Sequence, residues 1–173
     1  MCRISCFREN NKGRWIVGRI NRNRKEEVDS VTENVLRGQS VISGSANGRL
    51  VVSREPLSFW GGYDLESGEI IDRQHHLSGK VVKDCILAVP GTKGSSTTTA
   101  VLLEAMQRGN APLAIITSGV DSFLALALVV AEEMYRKSIP LVALKPAEYA
   151  ELPSGHEISV EEDGRITWIQ PNR

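Results

Sequence analysis

The sequence predicts an α/β domain with a β-rich first half followed by strand–helix alternation. Three observations carry this expectation. Between about residues 35 and 81, short apolar runs are broken by Gly and Ser, as in strands joined by turns. From residue 81 onward, apolar strand-like runs alternate with longer helix-like ones, the order that favours parallel pairing. Between the first such strand and helix lies Pro90-Gly91-Thr92-Lys93-Gly94-Ser95-Ser96-Thr97-Thr98-Thr99, a hydroxyl-rich loop held between two apolar elements.

Residues 1–34 are rich in Arg, Lys, Asn and Glu and read as a basic, loosely ordered extension, with a short apolar patch at Trp15, Ile16 and Val17. Its basic excess suggests an organelle address, but Glu9, Glu26, Glu27 and Asp29 argue against a transit peptide, which is poor in acids. Apolar runs at 40–43 and 50–53 flank Asn47-Gly48, the strongest turn signal in the chain, so a hairpin is expected there. Two long loops follow, at 55–64 and 70–79. In the first, Gly61-Gly62 would permit close backbone approach to a ligand, and Phe59 and Trp60 are expected to cover the end of a core. In the second, His75 and His76 read as hydrogen-bonded or solvated loop histidines rather than metal ligands.

A strand is expected over 81–89, interrupted by Lys83 and Asp84, and a helix from Ala100 that Gly109 can end. A short strand at 114–117, a helix over 121–134 and a strand over 140–144 continue the alternation. The domain is placed at 35–144, and 145–173 is read as a tail with a hairpin around Asp163-Gly164.

Composition narrows the function. With 173 residues and 41% hydrophobic content, the chain suits one domain with its own core, small for a complete multi-domain enzyme. The 21 basic residues balance the 21 acidic ones, and aromatics make up only 5%, so neither a basic footprint nor a base-stacking surface for nucleic acid is present. The apolar stretch 123–131 is too short to span a bilayer, so no membrane partner is expected. The three cysteines, Cys2, Cys6 and Cys85, form neither a disulfide framework nor a metal-ligand spacing, which fits a soluble protein of the reducing cytoplasm with no metal site of its own.

The hydroxyl loop is the candidate site. It precedes a helix, where the first backbone N–H groups lack intrahelical partners and the dipole favours negative charge. An anionic substrate, or a serine pressed to lose its proton, would be stabilised there. Lys93-Gly94-Ser95 lacks the Gly-Lys-Ser/Thr order of a nucleotide-binding loop. A plain helix cap uses one hydroxyl, and this run has five in a row.

Four motifs in order, Glu55-Pro56-Leu57-Ser58-Phe59-Trp60-Gly61-Gly62, then Ile71-Asp72 with His75 and Leu77-Ser78-Gly79, then Gly94-Ser95-Ser96, then Asp121 with Ala131-Glu132-Glu133, resemble the swivelling domain or small subunit of the aconitase X family over about 35–144. The resemblance implies a single swivelling β/β/α domain. It also implies a hydro-lyase that dehydrates a hydroxylated acid, cis-3-hydroxy-L-proline or a related compound, with phosphomevalonate as the alternative. By position Ser95 is the base that takes the substrate proton, and Lys93, Gly94, Ser96, Gly61, Gly62 and His75 are the expected substrate-binding residues. The iron–sulfur cluster is held by a larger partner subunit, and this chain is inactive alone. The chain departs from the family pattern at His76, where Pro is usual, and at Thr97-Thr98-Thr99, where Gly is common. A free-standing anion-binding module and a structural interaction domain stay open as other readings.

Overall fold

The computed structural model describes residues 7–9, 15–17, 31–94 and 96–171. In chain order its elements are β1 (Phe7–Glu9), β2 (Trp15–Val17), β3 (Val31–Arg37), β4 (Gln39–Ile42), β5 (Ala46–Val52), β6 (Cys85–Val89), α1 (Ser96–Arg108), β7 (Ala114–Ser118), α2 (Ser122–Tyr135), β8 (Leu141–Leu144), α3 (Pro146–Ala150), β9 (Glu157–Val160) and β10 (Arg165–Pro171). β1 and β2 pair antiparallel with each other, and the other strands form one sheet in the order β3-β10-β9-β5-β6-β7-β8-β4. The mixed α/β class and the parallel centre match the sequence expectation, since β5, β6, β7 and β8 pair in parallel.

The central strands are parallel because both their faces are covered. Their residues alternate between two cores. Leu87, Val89, Ile115 and Leu141 face α1 and α2, where Leu102, Ala105, Leu124 and Leu128 meet them. Ile86, Ala88, Ile116, Val142 and Leu144 face the other way, against Tyr149 after β8 and Ile158, Val160, Ile166 and Trp168 of the last two strands. The packed sheet thus reaches beyond 35–144 at both ends. β9 and β10 form an antiparallel hairpin, β9 pairs with β5, and β10 pairs with β3 along the whole of β3.

β3 and β4 stand at opposite ends of the strand order, yet Gly38 alone separates them in the chain. The sheet must therefore curl until its edges meet. Gly38 donates its N–H to Gly164 O at 3.0 Å, and a Cβ on Gly38 would lie 2.4 Å from Val142 Cγ1, so only glycine fits the seam.

Three expectations are corrected. Asn47-Gly48 is not a hairpin turn but lies inside β5, and β4 pairs with β8 rather than with β5. The glycine serves packing there: a Cβ would come 2.9 Å from Leu113 Cδ1, while Asn47 Oδ1 accepts from Ser159 Oγ at 2.6 Å. The strand expected over 81–89 begins only at Cys85, because the chain turns at Asp84, whose φ is 60°. Phe59 is fully buried as expected, but Trp60 is 67% exposed and covers no core.

The loop between β5 and β6 is ordered by its own bonds. Tyr63 N–H donates to Phe59 O and Ile71 N–H to Gly62 O. At the far end of α1, Gly109 adopts φ 73° and lets the helix stop, as expected. Asn110 then clamps the same loop: its Nδ2 donates to Leu65 O and Glu66 O, and its carbonyl accepts from Tyr63 Oη at 2.6 Å.

Candidate functional site

Parallel strands deliver their carboxyl ends to one side of the sheet, which is where open α/β sheets bind ligands. Here the segments leaving β5, β6 and β7 meet. Leu57 N–H donates to Gly91 O at 3.2 Å and Lys93 N–H returns to Leu57 O at 2.9 Å, so the first motif lies beside the hydroxyl loop. Asp121 joins the third segment: Oδ2 accepts from Thr92 N and Thr92 Oγ1, both at 2.8 Å, while Oδ1 caps α2 through Phe123 N and Leu124 N. One carboxylate thus holds both strand-to-helix junctions.

α1 begins at Ser96. Ser95, the residue directly before it, lies outside the described residues. Lys93, Gly94 and Ser96 are exposed. Gly94 has φ 126°, a conformation that side chains other than glycine rarely adopt. Among the hydroxyls that follow, Thr99 Oγ1 donates to Phe123 O at 3.1 Å, joining α1 to α2. Thr98 is 0% exposed, and its Oγ1 has no hydrogen-bond partner among the described residues.

The second motif packs under the first. His75 is 4% exposed. Its Nδ1 accepts the Leu77 N–H at 3.1 Å, which leaves the ring proton on Nε2, 3.2 Å from Ser53 Oγ. Ser53 Oγ donates to Glu55 O at 2.5 Å, and Tyr149 Oη donates to Ser53 O at 2.7 Å. The His75 ring is therefore occupied in orienting the segment that leaves β5. Outside it, Glu55 Oε1 accepts from His76 N at 3.0 Å and lies 3.1 Å from His76 Nδ1. The His76 backbone N–H, then its ring, hold the Glu55 carboxyl below its ordinary range. The neutral His75 ring is expected to show a pyridine-like Nδ1 and a pyrrole-like Nε2 by ¹⁵N-edited NMR. A pyrrole-like Nδ1 would break this network.

Gly62 is buried against the chain itself, where a Cβ would sit 2.2 Å from Ser58 O, whereas Gly61 is exposed, with φ 68° and open space where its Cβ would be. Next to Asp121, Gly119 and Val120 line a cleft of about 320 Å³ with Arg37, Leu144 and Lys145 at the ends of β7 and β8. Its charges are mixed, since Glu148 also lines it and Arg37 is paired with Asp163 at 3.2 Å.

Two donor sets bear on metals. Ligand atoms of Glu55, His75 and His76 lie within 4.8 Å of one another. However, His75 Nε2 carries the ring proton, and the two imidazoles stack with centroids 4.9 Å apart, so their lone pairs run side by side instead of converging. For an iron–sulfur cluster, thiolates are required. Cys2 and Cys6 lie outside the described residues, and burial pushes the Cys85 thiol up, away from the thiolate form. The described residues fit neither group.

Asp121 was expected as the first residue of the helix and as part of a family motif; it is instead the N-cap of α2, and its reach to Thr92 had no local signal. Ser53, Tyr149 and the burial of Thr98 carried no local signal. No helix among the described residues is long and apolar enough to cross a membrane.

The family profile described as aconitase X swivel domain matches residues 35–168. A cis-3-hydroxy-L-proline dehydratase of Hypocrea jecorina is 39% identical over 134 residues, covering 78% of this chain and 22% of that protein. A phosphomevalonate dehydratase small subunit of Methanosarcina acetivorans is 33% identical over 138 residues, covering 79% of this chain and 92% of that subunit. This chain spans only about a fifth of the hydroxyproline dehydratases it matches, 22% in Hypocrea jecorina and 18% in Pseudomonas aeruginosa. The crystal structure of Thermococcus kodakaraensis aconitase X in its holo-form superposes with a TM-score of 0.69 at 29% identity, covering 79% of this chain and 98% of that one. With its parallel-centred sheet, its hydroxyl loop before α1 and these relatives, the chain belongs to the aconitase X swivel-domain family.

Proposed function

We propose that this chain is the swivel unit of an aconitase X-type hydro-lyase, with Ser95 as the base and the iron–sulfur cluster in a larger catalytic unit. The observation that carries the reading is the exposed Lys93-Gly94 and Ser96 segment at the start of α1, anchored on two sides through Leu57 and Asp121. A serine there gains from the helix end only about 1–2 kcal/mol, roughly one pKa unit, toward losing its proton. That alone is far too little for an alkoxide. Lys93 and the exclusion of water by a partner must add to it, which explains why the isolated chain is expected to be silent. This chain's part in the reaction is to take the substrate proton.

The outer face of α2 supports a covering partner. Phe123, Leu126, Val129 and Met134 are exposed on it, Leu126 at 52%, whereas the exposed positions of α1 are mainly polar. Exposed apolar residues gathered on one element ordinarily mark a covered face, and Thr99 Oγ1 joins α2 to the start of α1. Leu126→Glu with Val129→Glu is expected to weaken assembly with the larger unit at least about a hundredfold. Each lost contact accounts for about 1.5–3 kcal/mol, and 1.4 kcal/mol is tenfold in affinity. Titration of the complex by sedimentation checks this against an unchanged melting temperature of the chain.

The substrate favoured is cis-3-hydroxy-L-proline or a close relative, because identity to those dehydratases reaches 45% over 106 residues. Phosphomevalonate is the second reading, favoured by the archaeal small subunits, which are matched over nearly their full length. Reconstitution with the larger unit, iron loading and an assay of water loss from each compound separates them. An active complex that dehydrates neither would overturn the proposal, as would activity in this chain alone.

A further inference from the structure

The connections that follow the parallel strands do not all turn the same way. After β6 and β7 the chain passes to α1 and α2, whose Leu102, Ala105, Leu124 and Leu128 pack on one face of the sheet. After β8 it passes to α3, whose Tyr149 packs on the other. Connections that part to opposite faces leave a crevice beyond the carboxyl ends of their strands, and α/β sheets bind ligands at that switch point. The cleft of about 320 Å³ lies there, between Gly119-Val120 leaving β7 and Leu144-Lys145 leaving β8. A Cβ on Gly119 would meet nothing within 4 Å, so this wall is open. Adjacent strands are about 5 Å apart, which puts the near side of the cleft one strand away from the segment that leaves β6.

The cleft carries one uncommitted charge of each sign. Lys145 forms no ion pair among the described residues, whereas Arg37 is engaged with Asp163. Glu148 accepts the Lys145 N–H on Oε2 at 3.0 Å, and its other carboxyl oxygen has no hydrogen bond among the described residues. Beside them Val120, 52% exposed, and Pro146 supply apolar surface. An ion of a single sign meets repulsion from one of the two charges, while a compact zwitterion is matched by both. We propose that the cleft is the subsite for a cyclic amino acid, with Lys145 pairing with the carboxylate and Glu148 with the ring ammonium. The inference rests on the reading that the substrate is cis-3-hydroxy-L-proline, and it names what selects that compound: phosphomevalonate, anionic at both ends, brings no cation for Glu148. The carboxylate and the ring nitrogen of such an acid sit on the same carbon, so holding both fixes how that carbon is turned toward the rest of the site.

The test uses the complex reconstituted with its larger partner. Glu148→Gln keeps an oxygen that can accept the Lys145 N–H and removes only the charge. It is expected to raise KM for cis-3-hydroxy-L-proline about tenfold, with kcat within about twofold and the melting temperature unchanged. Two competitive inhibitors separate recognition from structure: L-proline, which has the ring ammonium, and (S)-tetrahydrofuran-2-carboxylate, which has a ring oxygen in its place. Glu148→Gln should weaken L-proline about tenfold and leave the oxygen analogue within about twofold. Lys145→Met should weaken both about tenfold, since both carry the carboxylate. Equal losses of the two inhibitors in Glu148→Gln, or no loss of either, would overturn the inference even in a complex that turns over cis-3-hydroxy-L-proline. A parent complex that dehydrates phosphomevalonate and not cis-3-hydroxy-L-proline would overturn the underlying reading, and the inference with it.

Discussion

In the reconstituted complex, Ser95→Ala is expected to lower kcat by at least about a hundredfold while KM changes little and assembly persists. Proton transfer by a positioned group contributes about 10²–10⁴-fold, and its loss removes an interaction made in the transition state rather than one made equally in the ground state. The competing role for a serine directly before a helix is a cap. Loss of a cap costs about 0.5–2 kcal/mol of stability and would lower the melting temperature without a selective fall in kcat. Ser96→Ala is the control, since Ser96 is the exposed first residue of α1 and carries an adjacent hydroxyl with the same chemistry. A hundredfold loss in Ser96→Ala with none in Ser95→Ala would move the base by one residue; near-normal kcat in both would end the catalytic reading.

Asp121→Ala should give the largest loss of stability, about 2–4 kcal/mol. Its carboxylate accepts four hydrogen bonds, two that cap α2 and two from Thr92. The cap accounts for about 0.5–2 kcal/mol, and charge-assisted bonds to the partly buried Thr92 add about 1.5–3. The terms overlap, so the sum is taken below their maximum. For a domain of this size, that corresponds to roughly 5–15 °C in melting temperature. Thr92→Val removes only the hydroxyl donor and should cost less than half as much. Calorimetry on the two variants checks the ratio. An Asp121→Ala protein as stable as the parent would mean that the two junctions hold themselves in place.

What the sequence disclosed follows from how local each signal is. The strands of the parallel centre were readable because both faces are buried, so Ile86–Val89 and Leu141–Leu144 are apolar without interruption. Gly109 announced a helix end through short-range backbone chemistry. Asn47-Gly48 misled because the same dipeptide that suits a tight turn also leaves room for Leu113, a neighbour 65 positions away that no window includes. The hydroxyl run was located between strand and helix, but its last four residues, Ser96–Thr99, form the first turn of α1 rather than a loop. Its five hydroxyls could not be told apart, since burial of Thr98, bonding of Thr99 and exposure of Ser96 depend on how α1 sits against the sheet. His75 was legible as a loop histidine; its place against Ser53, 22 residues earlier and just past the end of β5, was not.

The single-residue link at Gly38 also constrains the order of events in folding. β3 is formed early in the chain but its ladder partner is β10, and the side chains of Arg37 and Asp163 that meet at the seam are 126 residues apart. Such pairings are the slow ones, because a long loop must be closed before any contact rewards it. The α1–α2 layer and the parallel centre can assemble first from neighbours in sequence. Until β10 arrives, β3 has no partner within the sheet, and Gly38 holds it tethered beside β4 with its hydrogen-bonding groups open to strands of other chains. Removing residues after about 160 should therefore harm yield more than the loss of one edge strand would suggest, with the damage appearing as aggregation during refolding.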